Sequence, residues 1–123
     1  GPAPLVIPVS KLVGPFAVSA LAQAAAIASL DAGDELRART DDVVRERTRV
    51  RDALIELGHA IPHSQANFVW LPLGHDAVDF DAHCRSHGVI TRCFAGDGVR
   101  VTIGDPDENT RFLAAARKFV TGM

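Results

Sequence analysis

Two arginines in otherwise apolar, β-branched segments are the first candidates for chemistry in this chain. Arg100 lies in GDGVRVTIG (96–104), and Arg92 lies in VITRCF (89–94), eight residues upstream. A guanidinium presents a planar fork of N–H donors that matches a carboxylate or a phosphate, so the pair could bind an anion. The alternative is that both are ordinary solvent-facing strand residues. Like charges that are close across a sheet are destabilising, which makes the pair harder to explain on structural grounds alone.

The turn between the two segments decides whether these side chains share a face. A two-residue turn at Gly96-Asp97 would place Cys93 opposite Arg100, and the two guanidiniums would then lie on opposite faces. One extra residue in the turn would shift the register by one and bring Arg92 to the same face as Arg100.

Other chemistry-bearing groups have simpler explanations. Two histidines and a cysteine share a short predicted helix (His83, Cys84 and His87), but zinc needs further ligands, and no second ligand pair has suitable spacing. Lys11 follows a serine, as Schiff-base lysines can, yet its neighbours supply neither a Gly-rich nor an acidic partner. We therefore interpret Lys11 as a surface lysine and expect no metal site.

The arginine-rich segment RERTRVRD (45–52) does not indicate a nucleic-acid-binding protein. Between Asp34 and Asp52, six arginines face six acidic residues, and the net charge of the whole chain is −2. On a helix these charges should pair at i,i+4 and form a solvated face. The residues concerned are arginines 37, 39, 45, 47, 49 and 51 and acidic residues 34, 35, 41, 42, 46 and 52.

Length and composition indicate one globular domain. The 123 residues are 47% apolar and 23% charged, which is ordinary usage for a domain that buries its own core. Cys84 and Cys93 form no CxxC motif, and no signal peptide or membrane-spanning stretch is evident, so we expect reduced thiols in a cytoplasmic protein.

Seven elements are predicted, in the order α-α-β-α-β-β-α, which gives an α+β fold with a small, mainly antiparallel three-stranded sheet covered by helices. The first two are a helix from the N-cap Ser19 to Ala32-Gly33 and a helix from Asp34 to about Leu57. A strand in 65–73 follows, then a short helix opened by Asp76 and Asp79 and closed at Gly88, and then strands at 89–94 and 99–103. The last helix has Asp105 as N-cap, Pro106 in first position and Glu108 three residues after the cap. The second helix should bury a narrow stripe of every seventh residue, Leu36, Val43, Val50 and Leu57.

Four of these segments, in this order, resemble the C-terminal end of fold-type-I, pyridoxal-phosphate-dependent aminotransferases. They are PFAVSALAQAAAIASL, SQANFVWLPL, GVITRCF and GDGVRVTIGDPDENTRFLAA, and the resemblance covers about residues 12–123. It is strongest to the histidinol-phosphate aminotransferase subfamily, and within it to the branch of aromatic amino acid or phenylalanine aminotransferases.

The resemblance implies roles for both arginines. Arg100 would bind the α-carboxylate of an amino-acid substrate, and Arg92 would lie at the active-site mouth, where it would hold a second anion or a phosphate. Both must then reach the same mouth, so we predict a distorted hairpin with Arg92 and Arg100 on one side, facing a large domain that this chain lacks.

The resemblance also implies what this chain lacks. In the family, the lysine, aspartate and phosphate-binding residues that hold pyridoxal 5'-phosphate belong to the large domain, and none of those motifs is present here. We therefore expect residues 15–123 to be a small C-terminal domain that is inactive alone, within a homodimeric enzyme using amino-acid and 2-oxo-acid substrates. Residues 1–14 would be a tag remnant and a truncated linker. We expect residues 3–14 not to fold as a regular part of this domain, but to be disordered or buried against another copy of the chain.

Two other classes of function remain open on the sequence. One is a stand-alone module that binds an anion or another small molecule through the arginine pair, and the other is an interaction domain in which both arginines are surface residues. Neither a nucleic acid nor a membrane is expected as a partner.

Overall fold

A three-stranded antiparallel sheet with β3 at its centre organises the part of the chain that carries both arginines. The computed structural model describes residues 1–14 and 17–121. Its strands are β1 (Phe68–Leu71), β2 (Arg92–Phe94) and β3 (Gly98–Thr102), in the spatial order β1-β3-β2. The helices are α1 (Ala3–Ser10), α2 (Ala20–Asp31), α3 (Gly33–Glu56), α4 (Ala77–Ser86) and α5 (Pro106–Thr121), with a 3₁₀ turn at Gly74–Asp76. The predicted α+β class and antiparallel sheet are confirmed.

One face of the sheet forms the core. Alternation along β3 turns Val99 and Val101 inward, and both pack with side chains of α3, α4 and α5. Phe80 of α4 is fully buried at the centre, where its ring lies edge-on to those of Phe112 (6.4 Å) and Phe119 (5.2 Å).

Chain-local signals predicted several helix ends correctly. The Ser19 hydroxyl accepts a hydrogen bond from the Ala22 N–H at 3.1 Å and caps α2. At α5, Asp105 accepts from the Glu108 N–H at 2.8 Å, and the Glu108 carboxylate accepts from the Asp105 N–H at 3.1 Å. This reciprocal pair is the predicted capping box.

The helix α4 begins directly after Asp76, as predicted, but without the expected side-chain cap. A 3₁₀ turn precedes the helix, and the Asp76 side chain makes no capping bond. Because Asp76 already has helical dihedral angles (φ −78°, ψ −5°), it lacks the extended conformation from which an N-cap side chain reaches the first free N–H groups.

The predicted strand at 89–94 is shorter than expected because its first residues complete the end of α4. Gly88, at φ 74°, donates to the Arg85 carbonyl, and the Val89 N–H donates to the Cys84 carbonyl at 2.9 Å. These bonds form a Schellman motif that uses the backbone a longer strand would need. The strand β2 therefore begins at Arg92, and the strand predicted in 65–73 is likewise reduced to Phe68–Leu71.

The buried stripe of α3 was predicted only in part. Val50 is fully buried, and Val43 and Leu57 pack against the core, but Leu36 is 41% exposed. Arg47 and Leu54, which lie between the predicted positions along the helix, are also buried. From Val43 to Leu57 the inward positions are spaced alternately four and three residues apart, so the seven-residue repeat holds there with a second buried position in each repeat.

Ion pairs on α3 also differ from the expected spacing. Arg37, Arg45 and Arg49 bind carboxylates three residues before them, not four. Arg47 instead turns inward and donates to the Ala66 carbonyl at 2.7 Å. One of the six arginines thus supports the loop before β1 and is not part of a solvated face.

The chain divides into two units, Gly1–Arg37 and Ala38–Met123. In the first unit, residues 3–10 form the helix α1, so the alternative in which residues 3–14 are disordered is wrong for this stretch. No residue of α1 or α2 is buried, although both helices are mostly apolar. Whether another copy of the chain covers them stays a prediction.

Gly98 of β3 lies against the end of β1 with no room for a side chain. A Cβ at this position would lie 2.2 Å from the Leu71 carbonyl oxygen and 2.7 Å from the Trp70 ring. We expect Gly98→Ala to lower the free energy of unfolding by about 1–3 kcal/mol, the usual cost of overpacking. Chemical denaturation of this chain measures it, with Gly14→Ala as control because a Cβ there meets nothing within 4 Å. Equal effects of the two substitutions would contradict the prediction.

Candidate functional site

The outer face of the sheet carries both predicted arginines. Arg92 is paired directly with Arg100, and Phe94 is paired with Gly98. The hairpin loop therefore has three residues, 95–97, in which the Asp97 N–H donates to the Phe94 carbonyl and Gly96 has φ 84°. Positive φ at the third turn position favours glycine. The register with one extra turn residue is confirmed, and the two arginines share a face.

Three aromatic residues complete this face, which we call the arginine–aromatic face: Phe68, Trp70, Arg92, Phe94 and Arg100. Trp70 pairs with Arg100 across β1 and β3, so the two strands place it on the same side. The Trp70 and Phe94 rings meet edge-to-face at 5.6 Å. Both arginines are exposed, while Phe68 and Trp70 are half-buried.

Each guanidinium lies over a phenylalanine ring. The Arg100 Cζ atom is 5.5 Å from the centroid of Phe68, and the Arg92 Cζ atom is 5.6 Å from the centroid of Phe94. Within the described part of the chain, neither guanidinium forms a hydrogen bond or an ion pair. Their N–H donors are therefore available to a ligand, unlike those of Arg45 or Arg85, which bind carboxylates.

The aromatic partners could be found only in part from the sequence. Phe94 lies two residues after Arg92 on one strand, and this spacing alone places them on the same face. Phe68 is 32 positions from Arg100, so its contact depends on the register of β1 against β3.

Two polar clusters hold the strands that carry the arginines. At the end of β3, buried Asn109 accepts from the Gly104 N–H and donates to the Gly104 carbonyl, both at 3.0 Å, and also donates to Glu46 at 2.8 Å. Hydrogen bonds from Arg49 and Asn109 hold the pKa of Glu46 below its usual value. This cluster connects β3 to α3.

Before β2, buried Asp81 plays the corresponding part. Its carboxylate accepts hydrogen bonds from the Thr91 hydroxyl and, at 2.7 Å, from Arg85. Burial alone would raise the pKa of Asp81, but the bonds from Arg85 and Thr91, with the Arg85 charge, hold it below its ordinary value of 3.8. Thr91 directly precedes Arg92, so Asp81 anchors the strand at its first functional residue.

Asp81 should make the free energy of unfolding depend on pH in the acidic range. Because its folded pKa is depressed, its contribution is complete above the unfolded value near 3.8 and is lost as pH falls through the folded pKa. We expect Asp81→Asn to be less stable than the parent chain at pH 7, with a difference that shrinks below about pH 4. Denaturation of both proteins from pH 7 to pH 2 measures this, and a pH-independent difference would contradict it.

The remaining sequence candidates are placed elsewhere. The His83 Nε2 atom lies 3.0 Å from the Ala115 carbonyl, and the His87 Nδ1 atom lies 2.9 Å from the His83 carbonyl. Cys84 is fully buried, and burial raises its pKa to about 12, while Cys93 is half-buried and both thiols are free. Residues 1–14 and 17–121 hold no group of three or more metal-ligating side chains.

Neither lysine of the sequence lies in surroundings that suit pyridoxal phosphate. Lys11 is exposed at the C-cap of α1, and Lys118 is exposed on α5. A Schiff-base lysine needs surroundings that lower its pKa, together with a cradle for the cofactor phosphate. The described residues therefore do not fit the cofactor, and we assign no step to it here. No helix in the described ranges has the length and hydropathy needed to cross a bilayer.

Comparison with known proteins decides the family. The sequence profile described as "Aminotransferase class I and II" matches residues 2–116. This chain belongs to that aminotransferase family. It is 53% identical over 116 residues to an aromatic amino acid aminotransferase of Mycolicibacterium smegmatis, covering 94% of this chain and 32% of that protein. It is 56% identical over 114 residues to that of Rhodococcus opacus, covering 93% and 32%.

A solved structure agrees with this assignment. A Burkholderia pseudomallei protein whose crystal structure is assigned to an aminotransferase superposes with a TM-score of 0.86 at 26% identity, covering 98% of this chain and 38% of that one. The aminotransferase chain described here spans about a third of the length of the curated relatives it matches.

Proposed function

We propose that this chain is the substrate-clamping C-terminal domain of a pyridoxal-phosphate-dependent aminotransferase that transfers an amino group between an aromatic amino acid and a 2-oxo acid. The observation that carries this proposal is the pair of exposed guanidiniums on one sheet face, each without a carboxylate partner among the described residues. Its support from relatives is that proteins more than half identical to it are named aromatic amino acid aminotransferases.

Arg100 is the residue we assign to the α-carboxylate. It lies on the central strand, whose neighbours on both sides and whose tie to Asn109 limit its movement. A guanidinium on a rigid strand can form two parallel N–H···O bonds to a carboxylate, which fixes both the position and the orientation of the substrate. In the complete enzyme, pyridoxal phosphate held by the large domain would supply the electron sink for amino-group transfer.

Arg92 is assigned to a second anion. It lies directly opposite Arg100, on the edge strand β2. It can therefore contact a different part of the substrate. A second carboxylate of a 2-oxo acid would suit it. A phosphate would suit it equally, which supports histidinol-phosphate aminotransferase as the alternative function.

The wider arrangement follows from the same proposal. Residues 15–123 form the small domain, residues 1–14 are linker, and the complete enzyme is a cytoplasmic homodimer in which a large domain holds the cofactor. Closing the small domain over the substrate would bring Arg100 to the carboxylate and exclude water from the reacting Cα–H bond.

Transamination by the complete protein tests the proposal. The complete coding sequence should transfer amino groups from phenylalanine and tyrosine to 2-oxoglutarate, and this 123-residue chain should transfer none. Preference for histidinol phosphate would favour the alternative function. Activity of this chain alone, or a borohydride-reducible absorbance band on addition of the cofactor, would contradict the domain assignment, and Lys11→Ala would show whether Lys11 forms that band.

A further inference from the structure

The two arginines of the arginine–aromatic face are direct cross-strand neighbours, yet each contacts a different ring. Arg100 lies over Phe68 of β1, and Arg92 lies over Phe94 of its own strand. Like charges directly opposite each other in a sheet repel. Two separate cation–π contacts offset that repulsion, because each positive charge gains an electron-rich ring face of its own.

The two rings lie on opposite sides of the arginine pair. Phe68 is paired with Thr102, one same-face position beyond Arg100 toward the end of β3. Phe94 is paired with Gly98, one same-face position in the other direction. Same-face neighbours along a strand are about 7 Å apart, so the rings draw the guanidiniums toward opposite ends of β3.

Trp70 adds a barrier on one side. Its ring would be 2.7 Å from a Cβ on Gly98, so it occupies the space that the glycine leaves open. From there it contacts Phe94 edge-to-face at 5.6 Å and limits the positions that this ring can take. The Arg92–Phe94 contact is therefore supported by packing, although both residues are exposed.

We infer that Phe68 and Phe94 are positioning residues that hold Arg100 and Arg92 apart as two anion subsites, and that the two guanidiniums do not share one anion. This inference rests on the proposed function for the identity of the ligands: the α-carboxylate at Arg100 and a second carboxylate or phosphate at Arg92. Neither contact places a carboxylate or carbonyl acceptor on the guanidinium, so its N–H donors stay available for bidentate bonds. Each ring thus orients its arginine without competing with the ligand.

The contacts themselves are tested on this chain by NMR of the arginine Nε–Hε groups. Phe68→Leu should shift the Arg100 signal by removing the ring current and leave the Arg92 signal in place. Phe94→Leu is the matched variant and should do the reverse, whereas Phe68→Tyr keeps the ring and should retain the Arg100 signal. If Phe68→Leu does not fold, pentafluorophenylalanine at position 68 weakens the contact without changing the shape. Equal shifts of both arginines, or of neither, would overturn the inference.

The consequence for ligands is tested on the complete aminotransferase. Phe68→Leu should raise KM about two- to fivefold for phenylalanine and for 2-oxoglutarate with little change in kcat. Phe94→Leu should raise KM for 2-oxoglutarate, which carries a second carboxylate, and not for phenylalanine. If the NMR shifts are as expected but the KM values do not change, Phe68 and Phe94 position the two arginines, and the ligands proposed for Arg100 and Arg92 are wrong. Equal KM increases for both compounds in both variants would overturn the separate subsites.

Discussion

Replacing Arg100 with alanine in the complete aminotransferase should raise KM for every amino-acid substrate by roughly 30-fold or more. Truncating one member of a hydrogen-bonded charge pair costs about 2–5 kcal/mol, and each 1.4 kcal/mol is a factor of ten. The effect should be general because the α-carboxylate is common to all amino acids. Steady-state kinetics with phenylalanine and tyrosine measure it.

Two controls separate a specific role from loss of charge. Arg100→Lys keeps the charge but loses the planar fork, so it should recover only part of the affinity. Arg45→Ala removes an exposed arginine that pairs with Asp42 on α3, and it should leave KM unchanged. Arg92→Ala should affect mainly substrates with a second anion. An Arg100→Ala enzyme with the parent KM for phenylalanine would refute the carboxylate role.

Replacing Phe80 with alanine should remove about 3–5 kcal/mol of stability from this chain, the usual cost of truncating a buried phenylalanine. Its side chain is fully buried and lies against the rings of His59, Phe112 and Phe119, which come from the α3–β1 loop and from α5. A domain is typically stable by only 5–15 kcal/mol, so this single change removes a large part of the total. Urea denaturation at neutral pH measures the difference.

Val78→Ala provides a matched control on the same helix. Val78 is 52% exposed, so its truncation should change the free energy of unfolding by less than about 0.5 kcal/mol. Phe80→Leu keeps most of the buried volume and should cost less than Phe80→Ala. A loss at Phe80→Ala no larger than that at Val78→Ala would show that the aromatic cluster does not support the sheet.

Elements governed by neighbouring residues were predictable in detail. The cap at Ser19, the capping box of Asp105 and Glu108, and the α+β order of the elements from α2 to α5 depend on contacts within a few positions of the chain. Such contacts are encoded in residue types and spacing, and the sequence shows both. The helix α1 was missed because its two prolines and apolar run carry no helix signal. Pro8 lies inside this helix, and a proline there normally argues against a helix.

Features that depend on distant partners could not be predicted in this way. The burial of Arg47 depends on the Ala66 carbonyl, and the late start of β2 depends on Asp81 and on the end of α4. Charge patterns along one helix, or propensities along one strand, contain no information about such partners. Tertiary hydrogen bonds therefore overrode the solvated face and the longer strand.

The arginine pair was predicted in part from the sequence, and its arrangement was decided by the tertiary structure. Residue type and a turn with two glycines identified Arg92 and Arg100 as an anion-binding candidate and left two registers open. The three-residue loop selected one of them, because a single-residue shift exchanges the faces of a strand. The contact between Phe68 and Arg100 was decided by the tertiary structure alone, because only the pairing of β1 with β3 brings the Phe68 ring to Arg100.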